Sequence, residues 1–105
     1  MERLDYYRQC IEKLLTEQSQ ATPINGEIEV ETIFDTMRDR YVVIDLGWDG
    51  HRRVYNCVMH LDIKDSKIWI QRNQTDLVIA EALVEMGVPK EDIVLGLQPP
   101  YAREY

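Results

Sequence analysis

Leu4, Tyr7, Ile11, Leu14 and Leu15 recur at steps of three and four residues, so the segment from Glu2 to about Ser19 carries one apolar stripe and predicts an amphipathic helix. Glu2, Arg3, Arg8, Glu12, Lys13 and Glu17 occupy its other faces. Gln18 to Asn25 is polar, contains Thr22-Pro23 and leads to Gly26, the composition of a loop that re-aims the chain.

The period then shortens to two. Ile28, Val30, Thr32 and Phe34 alternate with Glu27, Glu29, Glu31 and Ile33, the pattern of a strand with one buried face. A turn around Met37 to Asp39 leads into Arg40–Trp48, where Val42, Ile44 and Leu46 continue the core side. Asp49-Gly50 predicts a type I′ hairpin, which pairs Trp48 with His51, Ile44 with Tyr55 and Val42 with Cys57. The third strand, Arg53 to Ile63, then turns Tyr55, Cys57, Met59, Leu61 and Ile63 inward. Asp65-Ser66 closes a second tight hairpin into Lys67–Arg72, with Ile63 opposite Ile68 and Leu61 opposite Ile70.

Beyond the strands, Thr75 is placed to cap a helix beginning at Asp76, with Leu77, Ile79, Ala80, Leu83 and Met86 as its apolar surface and Gly87 as its left-handed stop. Pro89 suits the first position of a short helical turn through Lys90, Glu91 and Asp92, and Val88 tucks toward the core. Ile93, Val94 and Leu95 make a buried return segment before the stiff Pro99-Pro100 tail. The expectation is a single α+β domain over residues 1–105 in two layers. A four-stranded antiparallel meander carries the N-terminal helix, the C-terminal helix and the short helical turn on one face.

The two predicted faces of that sheet differ in character. Val30, Phe34, Val42, Ile44, Cys57, Leu61 and Ile68 supply the core face. The other face interleaves Ile33, Tyr41, Val43, Val58 and Trp69 with Glu29, Glu31, Asp45, Asn56, His60, Asp62, Lys67 and Gln71. It has too many carboxylates for a second core and more apolar surface than water alone calls for, so it reads as a face for a partner. Tyr41, Val43, Val58, His60, Asp62, Lys67 and Trp69 are its candidate contact residues; β-propensity on a wet sheet is the plainer alternative.

Composition narrows the partners. The chain has 105 residues with 45% hydrophobic and 30% charged, which is globular and rules out disorder or low complexity. No apolar run reaches the roughly 20 residues of a membrane span and the amino terminus lacks a signal-peptide core, so a cytoplasmic protein is expected. A formal charge of −7 would repel a phosphate backbone, and Arg52 and Arg53, being adjacent, point to opposite faces, so no direct nucleic-acid binding is expected.

The candidate chemistry is sparse. His60 and Asp62 leave one face of a strand, an arrangement that can orient an imidazole for general-base work, but no nucleophile or oxyanion donor accompanies them. The register sets Asp62 opposite Trp69 and diagonal to Lys67, which predicts an ion pair instead. Glu27, Glu29 and Glu31 read as a solvated row more than a cation site, and Cys10 and Cys57 lack metal-ligand spacing. No phosphate-binding glycine loop or hydrolase motif is present, so no cofactor or metal is expected.

From Gly47 to Arg103 the sequence carries a set of pieces that together resemble the XisI family of cyanobacterial excision controlling factors. They are Gly47-Trp48, Arg53-Val54, His60-Leu61-Asp62-Ile63, Lys67-Ile68-Trp69-Ile70, the Asn73-to-Thr75 step, Ile79-Ala80 and the run Gly87 to Gly96. The chain departs from the family pattern at Leu97-Gln98, where an aromatic residue and often a His follow the glycine, and at Asp76, where Glu is usual. The resemblance implies a non-enzymatic accessory protein in the developmentally controlled excision of a DNA element, where a separate recombinase performs the strand chemistry. It also implies a nuclease-like companion, XisH, beside which self-association as a dimer is expected. The competing expectation is a small ligand-binding protein or hydrolase using His60, Asp62, Lys67 and Arg103.

Overall fold

The computed structural model describes residues 2–21 and 27–105, and the loop expected around Thr22-Pro23 and Gly26 lies outside them. Helix α1 spans Arg3–Ala21 and so runs through the start of the expected loop. Strands β1 (Ile28–Asp35), β2 (Arg40–Asp49), β3 (Arg52–Lys64) and β4 (Lys67–Asn73) follow, then helix α2 (Ile79–Glu85) and strand β5 (Ile93–Val94). Single 3₁₀ turns at Lys90–Asp92 and Pro100–Ala102 flank β5.

The first four strands form the expected antiparallel meander, but the sheet is mixed and has five strands, in the order β1-β2-β3-β4-β5. The return segment Ile93–Val94 lies parallel to β4, with Ile68 opposite Ile93 and Trp69 opposite Val94. Glu104 then bridges Val94 from the other side, so the carboxy-terminal tail extends the same edge.

The first hairpin departs from the expected type I′ turn. Asp49 pairs with Arg52, leaving Gly50 and His51 as the central residues, and of these two only Gly50 has positive φ (61°). That is the pattern of a type II′ turn, with glycine first, and it moves the pairing by two residues: Trp48 faces Arg53, and Ile44 faces Cys57. At the second hairpin Asp65 and Ser66 both have positive φ (54° and 62°), as a type I′ turn requires, and Ile63–Ile68 and Leu61–Ile70 pair as expected.

A β-bulge corrects the larger reading. Val43 faces Met59 while Ile44 faces Cys57, so Val58 is an extra residue in β3. One extra residue reverses the facing of everything beyond it. Tyr41 and Val43 are therefore interior, 0% and 1% exposed, and Val58 packs against the same core. Val42, Ile44, Leu46, Tyr55 and Cys57, expected inside, stand outside that core cluster on the opposite face.

The core lies between the inner sheet face and the two helices. Tyr7, Cys10, Ile11, Leu14 and Leu15 of α1 and Ile79, Ala80 and Leu83 of α2 meet Tyr41, Val43, Met59, Leu61, Ile63, Ile68 and Ile70. Helix α2 begins three residues later than expected because Thr75 is engaged elsewhere. Its amide and hydroxyl donate to Asn73 Oδ1 (2.9 and 2.6 Å), and its Oγ1 accepts from the Leu77 amide, so residues 73–77 make a side-chain-supported turn. At the other end Gly87 (φ 101°) reverses the chain while the Val88 amide bonds Leu83 O (3.0 Å), and Val88 enters the core. Pro89 sits immediately before the 3₁₀ turn, in extended geometry, and not within it.

Candidate protein-interaction face

The outer sheet face has two regions, and the carboxy-terminal tail lies over the first. The first surrounds Trp69. Asp62 is only 7% exposed and faces Trp69 across the β3–β4 ladder. His60 Nε2 lies 2.9 Å from Asp62 Oδ1, and Gln71 Nε2 donates to Asp62 Oδ2 at 3.2 Å. The carboxylate thus takes its partners from His60 and Gln71, not from Lys67, which lines a cavity beside β5. A second bulge, where Leu61 faces Ile70 but His60 faces Arg72, brings Gln71 into reach of Asp62.

Trp69 is held between two cations, with Lys64 Nζ 4.6 Å and the Arg103 guanidinium carbon 5.6 Å from its ring centroid. Gly96 approaches so closely that a Cβ there would lie 3.1 Å from the indole. The tail therefore covers much of Trp69, and its half-buried ring is not the centre of an open patch.

Lys67 and Arg103 line a cavity of about 560 Å³ at the β5 edge, together with Lys90, Glu91, Glu104 and Tyr105. His60 and Asp62 do not line it. The four residues of the ligand-binding alternative are thus split between the cavity, which Lys67 and Arg103 line, and the sheet face, which carries His60 and Asp62. Among the described residues no group of three or more His, Cys, Asp or Glu is placed to hold a metal ion.

The second region is the one the bulge creates. Val42, Ile44 and Leu46 run along β2, flanked by Ile33 on β1 and by Tyr55 and Cys57 on β3. Tyr55 and Ile33 are 67% and 51% exposed, while Ile44 at the middle is sheltered by its neighbours. Burial pushes the Cys57 thiol above its ordinary pKa, and the nearby Arg72 charge opposes that shift. Arg72 Nε donates to Cys57 O at 2.7 Å, which fixes its guanidinium beside the apolar row. Glu29 and Glu31 are exposed along the opposite margin on β1. Of the seven contact residues expected from the sequence, His60, Asp62, Lys67 and Trp69 belong to the outer side. Ile33 lies on the outer face as the sequence placed it; the residues that sequence reasoning missed there are Val42, Ile44, Leu46, Tyr55 and Cys57, and their alternation was the available signal.

Two helices on one face of a five-stranded mixed sheet, with an apolar row on the other face that neither helix covers, define a two-layer α+β protein. The XisI protein family matches the chain over residues 1–105, and the chain belongs to that family. A XisI-like protein from Anabaena variabilis has the same fold, with TM-score 0.92 and 49% identity over 99% of this chain and 94% of that one. The fdxN element excision controlling factor XisI from Anabaena variabilis is also similar, with TM-score 0.85 and 31% identity over 97% of this chain and 93% of that one. No curated protein matches the chain. Among the described residues no helix is long and apolar enough to cross a membrane.

Proposed function

We propose that this protein is a cytoplasmic, non-enzymatic accessory factor in the excision of a DNA element, acting by protein–protein contact through the outer face of its sheet. The observation that carries this reading is the row Val42, Ile44, Leu46 and Cys57 with exposed Ile33 and Tyr55, which neither helix covers. Leaving such a surface wet costs about 25 cal/mol for each Å² of apolar area, so a partner that covers it gains free energy. The name of a relative, an excision controlling factor, supports a controlling role over a catalytic one. The net charge of −7 supports contact with protein in preference to DNA.

The partners that fit are a second copy and an XisH-like companion. Tyr55→Glu places a charge on the exposed edge of the row without touching the core. Association should fall at least about tenfold, read by light scattering for self-association and by co-purification with a co-expressed XisH-like protein, while thermal melting is unchanged. Equal association of variant and parent in both assays would exclude this face as the contact.

A further inference from the structure

The charges around the apolar row specify which partner it takes. Glu31 faces Ile44, Ile44 faces Cys57, and the Arg72 guanidinium is anchored on Cys57 O. One line across the outer face therefore runs from an acidic margin on β1, through aliphatic Ile44 and the Cys57 thiol, to a basic margin beyond β3. Strands are spaced about 4.8 Å apart, so the two margins lie on either side of β2, each about one strand or more away.

We propose that this face binds a second copy of the chain about a two-fold axis parallel to the strands and passing over β2. This rests on the reading of the face as a protein contact. Rotation about that axis stacks Val42, Ile44 and Leu46 on the same three residues of the second copy and exchanges the margins. Glu31 of each copy then meets Arg72 of the other, twice in the dimer. Face-to-face sheets pack about 10 Å apart, a separation that these side chains span. The perpendicular axis would instead set Glu31 beside its own equivalent, and edge pairing through β1 would bring the acidic rows together, so both are disfavoured by like-charge repulsion. A face that presents an apolar middle between margins of opposite sign is complementary to itself. The tail over Trp69 lies at the far end of the sheet and bounds the contact without filling it.

The test is a charge exchange. Light scattering on the full chain over a concentration series should show mass rising from 12.4 kDa toward twice that value. Glu31→Arg and Arg72→Glu should each raise the dimer dissociation constant about tenfold, and the double variant Glu31→Arg/Arg72→Glu should return it to within about threefold of the parent. Thermal melting of each variant establishes that it is folded. A parent that stays at 12.4 kDa at every concentration overturns the inference, as does a dimer indifferent to the single changes or one that the double variant fails to restore. A parent that stays at 12.4 kDa yet captures an XisH-like companion, with that capture abolished by Tyr55→Glu, would overturn self-association alone and leave the contact face standing.

Discussion

Arg8 grips Asp39 with two nitrogens, Nε at 2.7 Å and Nη2 at 3.1 Å, and so ties the first helix to the turn between β1 and β2. Asp39 is a left-handed turn residue (φ 56°) whose Oδ1 also accepts from the Tyr41 hydroxyl at 3.0 Å and whose carbonyl accepts from the Ile63 amide. A single residue thereby joins α1, the first turn and two strands, α1 and β2 through its carboxylate and β3 through its backbone carbonyl. The consequence for function is directional: α1 is fixed over the inner face, and the outer face stays uncovered.

That carboxylate makes stability depend on acid. The Arg8 hydrogen bond, followed by that of Tyr41, holds Asp39 below the usual carboxylate range against the opposing effect of burial. A lowered folded-state pKa means that the contribution is present above the unfolded value of about 3.9 and is lost as pH falls through the folded value. Arg8→Ala should lower Tm by about 4 °C at pH 7. The gap between variant and parent should narrow in a series of thermal melts as pH falls below the unfolded carboxylate value. A gap that persists undiminished at low pH would mean that Arg8 acts through packing alone.

The basic end of the scale is governed by Tyr7. Burial, and then the hydrogen bond its hydroxyl donates to Asp92, push Tyr7 up to about 12. Its contribution is complete below the unfolded value of about 10 and disappears as pH rises toward the folded one. Tyr7→Phe should cost about 1–2 kcal/mol at pH 7. It should also flatten, without abolishing, the loss of stability above about pH 10, because buried Tyr41 is raised as well. Denaturant melts at pH 7, 9 and 11 measure both effects.

How much of this was legible depended on the range of the interaction. The α1 stripe and the Ile63–Ile68 and Leu61–Ile70 pairs follow from local periodicity and one short turn, and the structure contains them. The bulge at Val58 has no local signature, because it arises from how β2 and β3 fit together, yet it decides which of Tyr41–Val43 and Val42–Ile44 faces the core. The sequence therefore assigned Tyr41, Val43 and Val58 to the outer face, whereas Tyr41 and Val43 are buried and Val58 packs against the core. Strand β5 escaped notice because two residues carry no period, and its parallel pairing with β4 needs the whole α2 crossover. Thr75 misled because a helix cap and a turn-forming hydroxyl use the same oxygen, and the turn claimed it.

Gly87 separates stability from binding. Its φ of 101° lies where a side-chain-bearing residue is strained, and a Cβ there would meet only the Tyr6 ring, at 3.6 Å or more. Space is sufficient, so the cost of substitution is a backbone cost. Gly87→Val should destabilise the fold by about 1–2 kcal/mol, since the reversal that sends Val88 into the core must either bear the strain or open. The joint lies behind the sheet with α2, on the side away from Val42, Ile44 and Leu46, so association measured per folded molecule should equal that of the parent. The comparison requires a melt and a light-scattering series on the same preparation at a temperature well below the variant's Tm. A variant that melts like the parent yet no longer associates would move the contact from the outer sheet face to the carboxy-terminal segment.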